Sequence, residues 1–169
     1  MAILDIVTYP DPRLRQQAET IDRFAAPSVQ RLIDDLLHTM ASLPACVGVA
    51  APQAGHPLRL LVIQCQNSRK PPPEHHGLLV VGNPEILTWS GTEVGREGCL
   101  SLPDYTGNVL RAQTIEVAFQ DRDGQPQQLT LCGFEARVMQ HEIDHLHGTL
   151  FTDRIVSRKS DLFLRKRRT

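Results

Sequence analysis

The spacing of apolar residues changes several times along the chain, and each change predicts an element. From Pro27 to Met40, the residues Val29, Leu32, Ile33, Leu36, Leu37 and Met40 recur at three- and four-residue intervals. That spacing predicts a helix with one buried stripe, ended by Ser42 to Pro44. A shorter helix is expected in DPRLRQQAE near residue 11. The run LRLLVIQC, 58 to 65, is apolar throughout and reads as a strand covered on both faces. QNSRKPPPEHHG, 66 to 77, is polar and proline-rich, as expected of a surface loop. LLVVGNPEILTWS reads as two strands separated by an Asn-Pro break. Thr114 to Phe119 alternates, Asp123-Gly124 turns the chain, and QQLTLCG returns, which predicts a hairpin. Phe134 to Leu146 has helical spacing, and Gly148 stops it. From Ser157, SRKSDLFLRKRRT predicts a short amphipathic helix ending in a basic cluster. Helices, then strands, then a helix predict an α+β fold with mainly antiparallel sheet, packed around the helix at 134–146.

Composition narrows this picture. With 169 residues, the chain is the size of one domain, here 1–169 with a basic tail from about 157. Hydrophobic residues make up 41% and charged residues 22%, which excludes wholesale disorder. A net charge of −1 gives no general pull toward DNA or a membrane surface. No apolar run approaches the roughly eighteen residues of a membrane span. The start, MAILDIVTYPDPRLR, lacks a basic leader, and Asp5 interrupts its apolar run, so a cytoplasmic protein with reduced thiols is expected. Of the four cysteines, Cys65 and Cys132 read as core strand thiols, while His75 and His76 read as exposed loop residues.

Three short segments carry chemistry. In QHEIDHLHG, His141 and His145 are four apart. On a helix they lie about 40° apart around the axis and about 6 Å along it, so both imidazoles can grip one metal. Glu142 lies about 100° round from His141, where a general base can take a proton from an activated water. The bland alternative is a solvated helix. It is weakened by Phe134, Val138, Ile143 and Leu146, which make the helix partly buried. Two histidines need a further protein ligand, and no third histidine follows at metzincin spacing. In REGCLSLP, Cys99 is a chemically sound third ligand, although a free cysteine is more often an inert core thiol. In CVGVAAPQAG, small residues allow close backbone approach, and Gln53 is a neutral donor suited to a developing oxyanion. By itself that segment reads rather as a tight turn between the first helix and the first central strand.

Taken together, the segments resemble the peptide deformylase family, marked by GxGxAAxQ, EGCLS and QHExDHLxG in that order. EGCLS stands complete at Glu97 to Ser101, and the third motif at Gln140 to Gly148. The first has Cys46 in place of its leading glycine, with Gly48, Ala50, Ala51 and Gln53 matching. YPDPRLR, Val109, Arg111 and GTLFTDRI fit as well, so the resemblance covers most of the chain. It implies a metal held by Cys99, His141 and His145, with Glu142 as general base. It further implies an oxyanion held by the Gln53 amide and the Leu100 N–H. A Glu97–Arg111 ion pair would steady the cysteine loop. The backbone about Gly48, Val49 and Gly98 would receive the peptide as an added strand, and Phe134 and Val138 would line a methionine pocket. The family's usual metal is Fe²⁺, with Zn²⁺, Ni²⁺ or Co²⁺ possible in preparations. The implied substrate is the formyl-methionine start of nascent peptides. The basic tail reads either as a ribosomal RNA contact or as a solvated terminus. An HExxH endopeptidase and a metal-binding module without turnover are the rival functions.

Overall fold

The computed structural model describes residues 1–165. Its six strands form one sheet in which every strand pair is antiparallel. They are β1 (Gly48–Ala50), β2 (Leu60–Gln64), β3 (Leu78–Cys99), β4 (Leu102–Gln120), β5 (Pro126–Cys132) and β6 (Leu162–Leu164). The path runs β1-β2-β3-β4-β5, and β6 pairs with the start of β4 at Tyr105 to Gly107. Three helices accompany it: α1 (Pro27–Ser42), α2 (Gly133–Leu146) and the single-turn α3 (Arg158–Asp161). Among the described residues, no helix is long and apolar enough to cross a membrane.

The apolar run in β2 now has a cause. Leu60 and Val62 pack with Val29, Leu32, Ile33 and Leu36 of α1. Leu61 and Ile63, pointing the other way, pack with Val138, Met139, Ile143 and Leu146 of α2. A strand covered by a helix on each face must be apolar at every position. Thr39 is the polar member of the α1 stripe. Its hydroxyl donates to the Asp35 carbonyl at 2.7 Å and accepts the Leu4 N–H at 2.9 Å.

Several expectations need correction. The helix near residue 11 is one 3-10 turn, Pro12–Arg15. Beyond it the backbone is committed to distant partners: Ala18 N–H donates to Leu146 and Glu19 N–H to Pro57. The Asn-Pro break is a bulge inside the continuous strand β3, with a register shift between Gly82 and Glu85. Asn83 there has φ of 49°. Its amide accepts from Ile21 N–H at 2.9 Å and donates to the Ile21 carbonyl at 2.9 Å and Gln120 Oε1 at 2.7 Å. Cys99 does not lie in a loop; it is the last residue of β3. Cys132 is exposed, because Leu131 takes the inward position in β5. His76 is exposed as expected, yet its N–H and Nδ1 both bond the buried Glu135 carboxylate, and it is His75 that is half-buried. The predicted tail helix is the single turn α3 followed by β6, whose Phe163 sits under the Arg96 guanidinium. Lys166, Arg167 and Arg168 of the predicted basic cluster lie outside the described residues.

Asn83→Ala removes three hydrogen bonds and leaves alanine at a positive φ. We expect a loss of about 1–3 kcal/mol, read as a lower urea midpoint with unchanged m-value.

Candidate metal centre

Two neighbouring elements bring the three candidate ligands together. α2 presents His141 and His145 one turn apart, their ring centroids 5.1 Å from each other. The tip of the β3–β4 hairpin supplies Cys99, whose Sγ lies 3.3 Å from His145 Nε2. All three residues are buried, and their ligand atoms lie within 4.8 Å of one another.

The hairpin tip is locked to the helix by Glu97. One carboxylate accepts from Arg111 Nε at 2.9 Å and Nη2 at 3.0 Å, from Arg137 Nη1 at 2.9 Å and from His141 Nδ1 at 2.8 Å. The last contact assigns the ring proton to Nδ1 and leaves Nε2 of His141 free to ligate a metal. Arg111 also donates to Asp144 at 2.6 Å, and Asp144 in turn takes Arg154. The expected Glu97–Arg111 pair is therefore part of a larger network. Arg137 was the member missed; it stands four residues before His141, on the same helix face.

Burial and partners oppose each other at Glu97, Cys99, His141 and Glu142. Burial pushes the Glu97 carboxyl up, but hydrogen bonds from His141 and Arg111 outweigh it and hold it far below the usual carboxylate range. Burial also opposes ionising Cys99, yet His145 and His141 bring its thiol well below the ordinary value. His141 is raised despite its burial, through Cys99 and Glu97. Glu142 is raised, chiefly by desolvation, with His141 and His145 pulling the other way.

The groove in front of the cluster is an open cavity of about 310 Å³. Gly48, Gln53, Gly98, Leu100, Phe134, Val138, His141 and Glu142 all line it, together with Glu97, Cys99 and Cys46. Val49 does not: it is fully buried in the core against α1. Gln53 reaches the cluster from the 3-10 turn after β1. Its Nε2 donates to Cys99 Sγ at 3.4 Å and Ser101 Oγ at 3.2 Å, while Oε1 accepts Ala50 N–H at 3.0 Å. β1 is the open edge of the sheet. Val47 bonds inward to Gln64 N–H, so Gly48 and Ala50 turn their backbone groups outward. The Gly48 carbonyl accepts the Cys46 thiol at 3.4 Å. Gly48 must lack a side chain, because a Cβ would sit 2.7 Å from Glu142 Oε1.

These residues suit a metal. Among the described residues, Glu142 Oε2, on a residue that borders the same cavity, is buried without a hydrogen-bond partner. Buried polar atoms left over in this way mark a place for an ion or water. One thiolate and two imidazoles form a set suited to borderline and soft divalent metals, with room for a fourth position.

Residues 3–161 match the family model for polypeptide deformylase. A peptide deformylase 2 from Vibrio vulnificus is 45% identical, over 98% of this chain and 94% of its own. The crystal structure of a Legionella pneumophila peptide deformylase superposes with a TM-score of 0.84 at 40% identity, covering 94% of this chain and 89% of that one. A Synechococcus elongatus enzyme, solved in complex with actinonin, gives 0.82 at 38%, covering 94% and 82%. The chain belongs to the polypeptide deformylase family. It is a metal-dependent hydrolase that removes the N-formyl group from nascent peptides.

Glu97→Gln removes the charge that balances Arg111 and Arg137. We expect a loss of roughly 3 kcal/mol or more at neutral pH, by urea unfolding. Metal affinity should fall about 10- to 100-fold, by metal analysis after dialysis against a chelator. The folded pKa of Glu97 is depressed, so its contribution is present above the unfolded value near about 4.3 and is lost as pH falls below it. Acid should therefore destabilise the wild type more than the variant.

Proposed function

We propose that Cys99, His141 and His145 hold one divalent metal, Fe²⁺ in the cell, at the centre of a single catalytic domain built around α2. The substrate is the N-terminal formyl-methionine of nascent peptides, which puts the work in the cytoplasm. The observation that carries this reading is the convergence of three ligand atoms with Glu142 and Gln53 at one cavity. When bound, the metal supplies Lewis-acid activation of water and of the formyl carbonyl.

The remaining chemistry falls to side chains and backbone of this chain. Glu142 takes the proton of the attacking water and returns it to the leaving amine, so the C–N bond breaks with formate and a free amine as products. Its raised pKa favours holding that proton between the two steps. The Gln53 amide and the Leu100 N–H stabilise the negative oxygen that forms at the formyl carbon. The peptide lies along the outward edge of β1, using the Gly48 backbone on one side and Gly98 on the other. Phe134 and Val138 line the methionine pocket; both border the cavity, Val138 buried and Phe134 at its mouth. Contact of the tail with ribosomal RNA rests on charge alone.

Cys46 acts on the substrate side. Its thiol occupies the Gly48 carbonyl that an added strand would use. Burial, then Glu142, pushes the thiol up to about 12, so it stays protonated and a donor.

The test is formate release from formyl-Met peptides by anaerobic protein loaded with Fe²⁺ or Ni²⁺. Glu142→Gln should keep its metal and lose about 10²- to 10⁴-fold in kcat. Wild-type cleavage inside unformylated peptides, without formate, would make the chain an endopeptidase instead. Cys46→Gly should change KM more than metal content; metal loss in that variant contradicts the assignment of Cys46 to the groove.

A further inference from the structure

Two guanidinium groups reach the mouth of the cavity from different elements. Arg96 stands in β3, three residues before Cys99, and borders the cavity. Its Nε donates to Asn108 Oδ1 at 2.9 Å and its Nη1 to Thr106 Oγ1 at 3.2 Å. Its Cζ lies 3.6 Å from the Phe163 ring centroid. These partners fix the direction of the guanidinium without neutralising it, and two of its five N–H donors are used.

Arg165 comes from the opposite end of the chain. β6 pairs with Tyr105 to Gly107, and the Arg165 N–H donates to the Asp104 carbonyl at 2.7 Å. This carries the side chain across Gly98, where a Cβ would overlap Nη2. Gly98 thus makes room for a basic side chain that borders the same cavity.

Among the described residues, charge is matched at the bottom of this groove and unmatched at its mouth. Glu97 is committed to Arg111, Arg137 and His141. Among the described residues, neither Arg96 nor Arg165 has a carboxylate within salt-bridge distance.

We infer that Arg96 and Arg165 form a carboxylate-reading subsite, which favours formylated peptides with an acidic side chain among the first residues after methionine. This rests on the cavity being the peptide groove. Arg96 is held in place before substrate arrives, so little side-chain freedom is lost when a carboxylate docks. The site is partly exposed, so the preference is modest and sensitive to salt.

The test uses metal-loaded protein and formyl-Met peptides with Glu, Gln or Lys at the second, third or fourth position. Amidated C-termini remove the terminal carboxylate as a competing ligand. At one position, kcat/KM for Glu should exceed that for Gln by about 5-fold, through KM, and the ratio should shrink as salt is raised. Arg165→Gln should reduce the ratio, and Arg165→Glu should shift preference toward Lys. Arg96→Gln should also reduce it. Equal Glu and Gln values at all three positions overturn the inference while leaving the deformylase reading intact. A ratio unchanged in both glutamine variants overturns it too. No formate from any peptide sinks the functional reading and this inference with it.

Discussion

A single buried carboxylate sets the geometry of this protein. Glu97 lies on β3, Arg111 on β4, and Arg137 and His141 on α2, and all meet at its two oxygens. A charge this deep is tolerable only when it is fully paired, so any arrangement that separates hairpin from helix strands an ion in the core. Cys99 is two residues further along the same strand and is buried like Glu97, with exposed Gly98 between them, so both face inward. Fixing Glu97 against the helix therefore fixes the distance from the thiol to the histidines. The branch from Arg111 through Asp144 to Arg154 ties the segment after α2 into the same network.

The counterpart on the other side of the metal cluster is steric. β1 approaches Glu142 so closely that only glycine fits at position 48. The Glu142 carboxylate, proposed as the general base, is therefore pressed between the edge strand and its own helix. Desolvation there works against its ionised form, while the neighbouring imidazoles favour it. Electrostatics positions the candidate ligands and packing positions Glu142, so substitutions at Glu97 and at Gly48 disturb different parts of the same site.

Elements with a strict apolar period were legible in the sequence. α1 and α2 matched within a few residues, and β2 was recognisable because a strand sandwiched by two helices has no polar face. The long β3–β4 hairpin was not. Its middle, from Leu87 to Gly95, stands largely in solvent and carries no alternation that burial would impose. The end of the chain misled for a related reason: Leu162 to Leu164 is too short a run to distinguish a strand from a helical turn, and its partners are 55 to 59 residues away. The grouping of Cys99 with His141 and His145 was readable because coordination chemistry favours those residue types at that spacing. Arg137, Asp144 and Arg154 were harder to see. A charged residue that serves another charged residue is, in sequence, no different from one that serves water.

Open strand edges invite other chains, and proteins keep them short or capped. β1 is three residues long, the Ala50 N–H is taken by Gln53, and the Gly48 carbonyl is taken by a thiol. A peptide laid against this edge would find a rail barely one residue long. Main-chain pairing of that extent is indifferent to sequence. It suits an enzyme that acts on nascent peptides of many sequences, and so short a rail would hold each product only weakly.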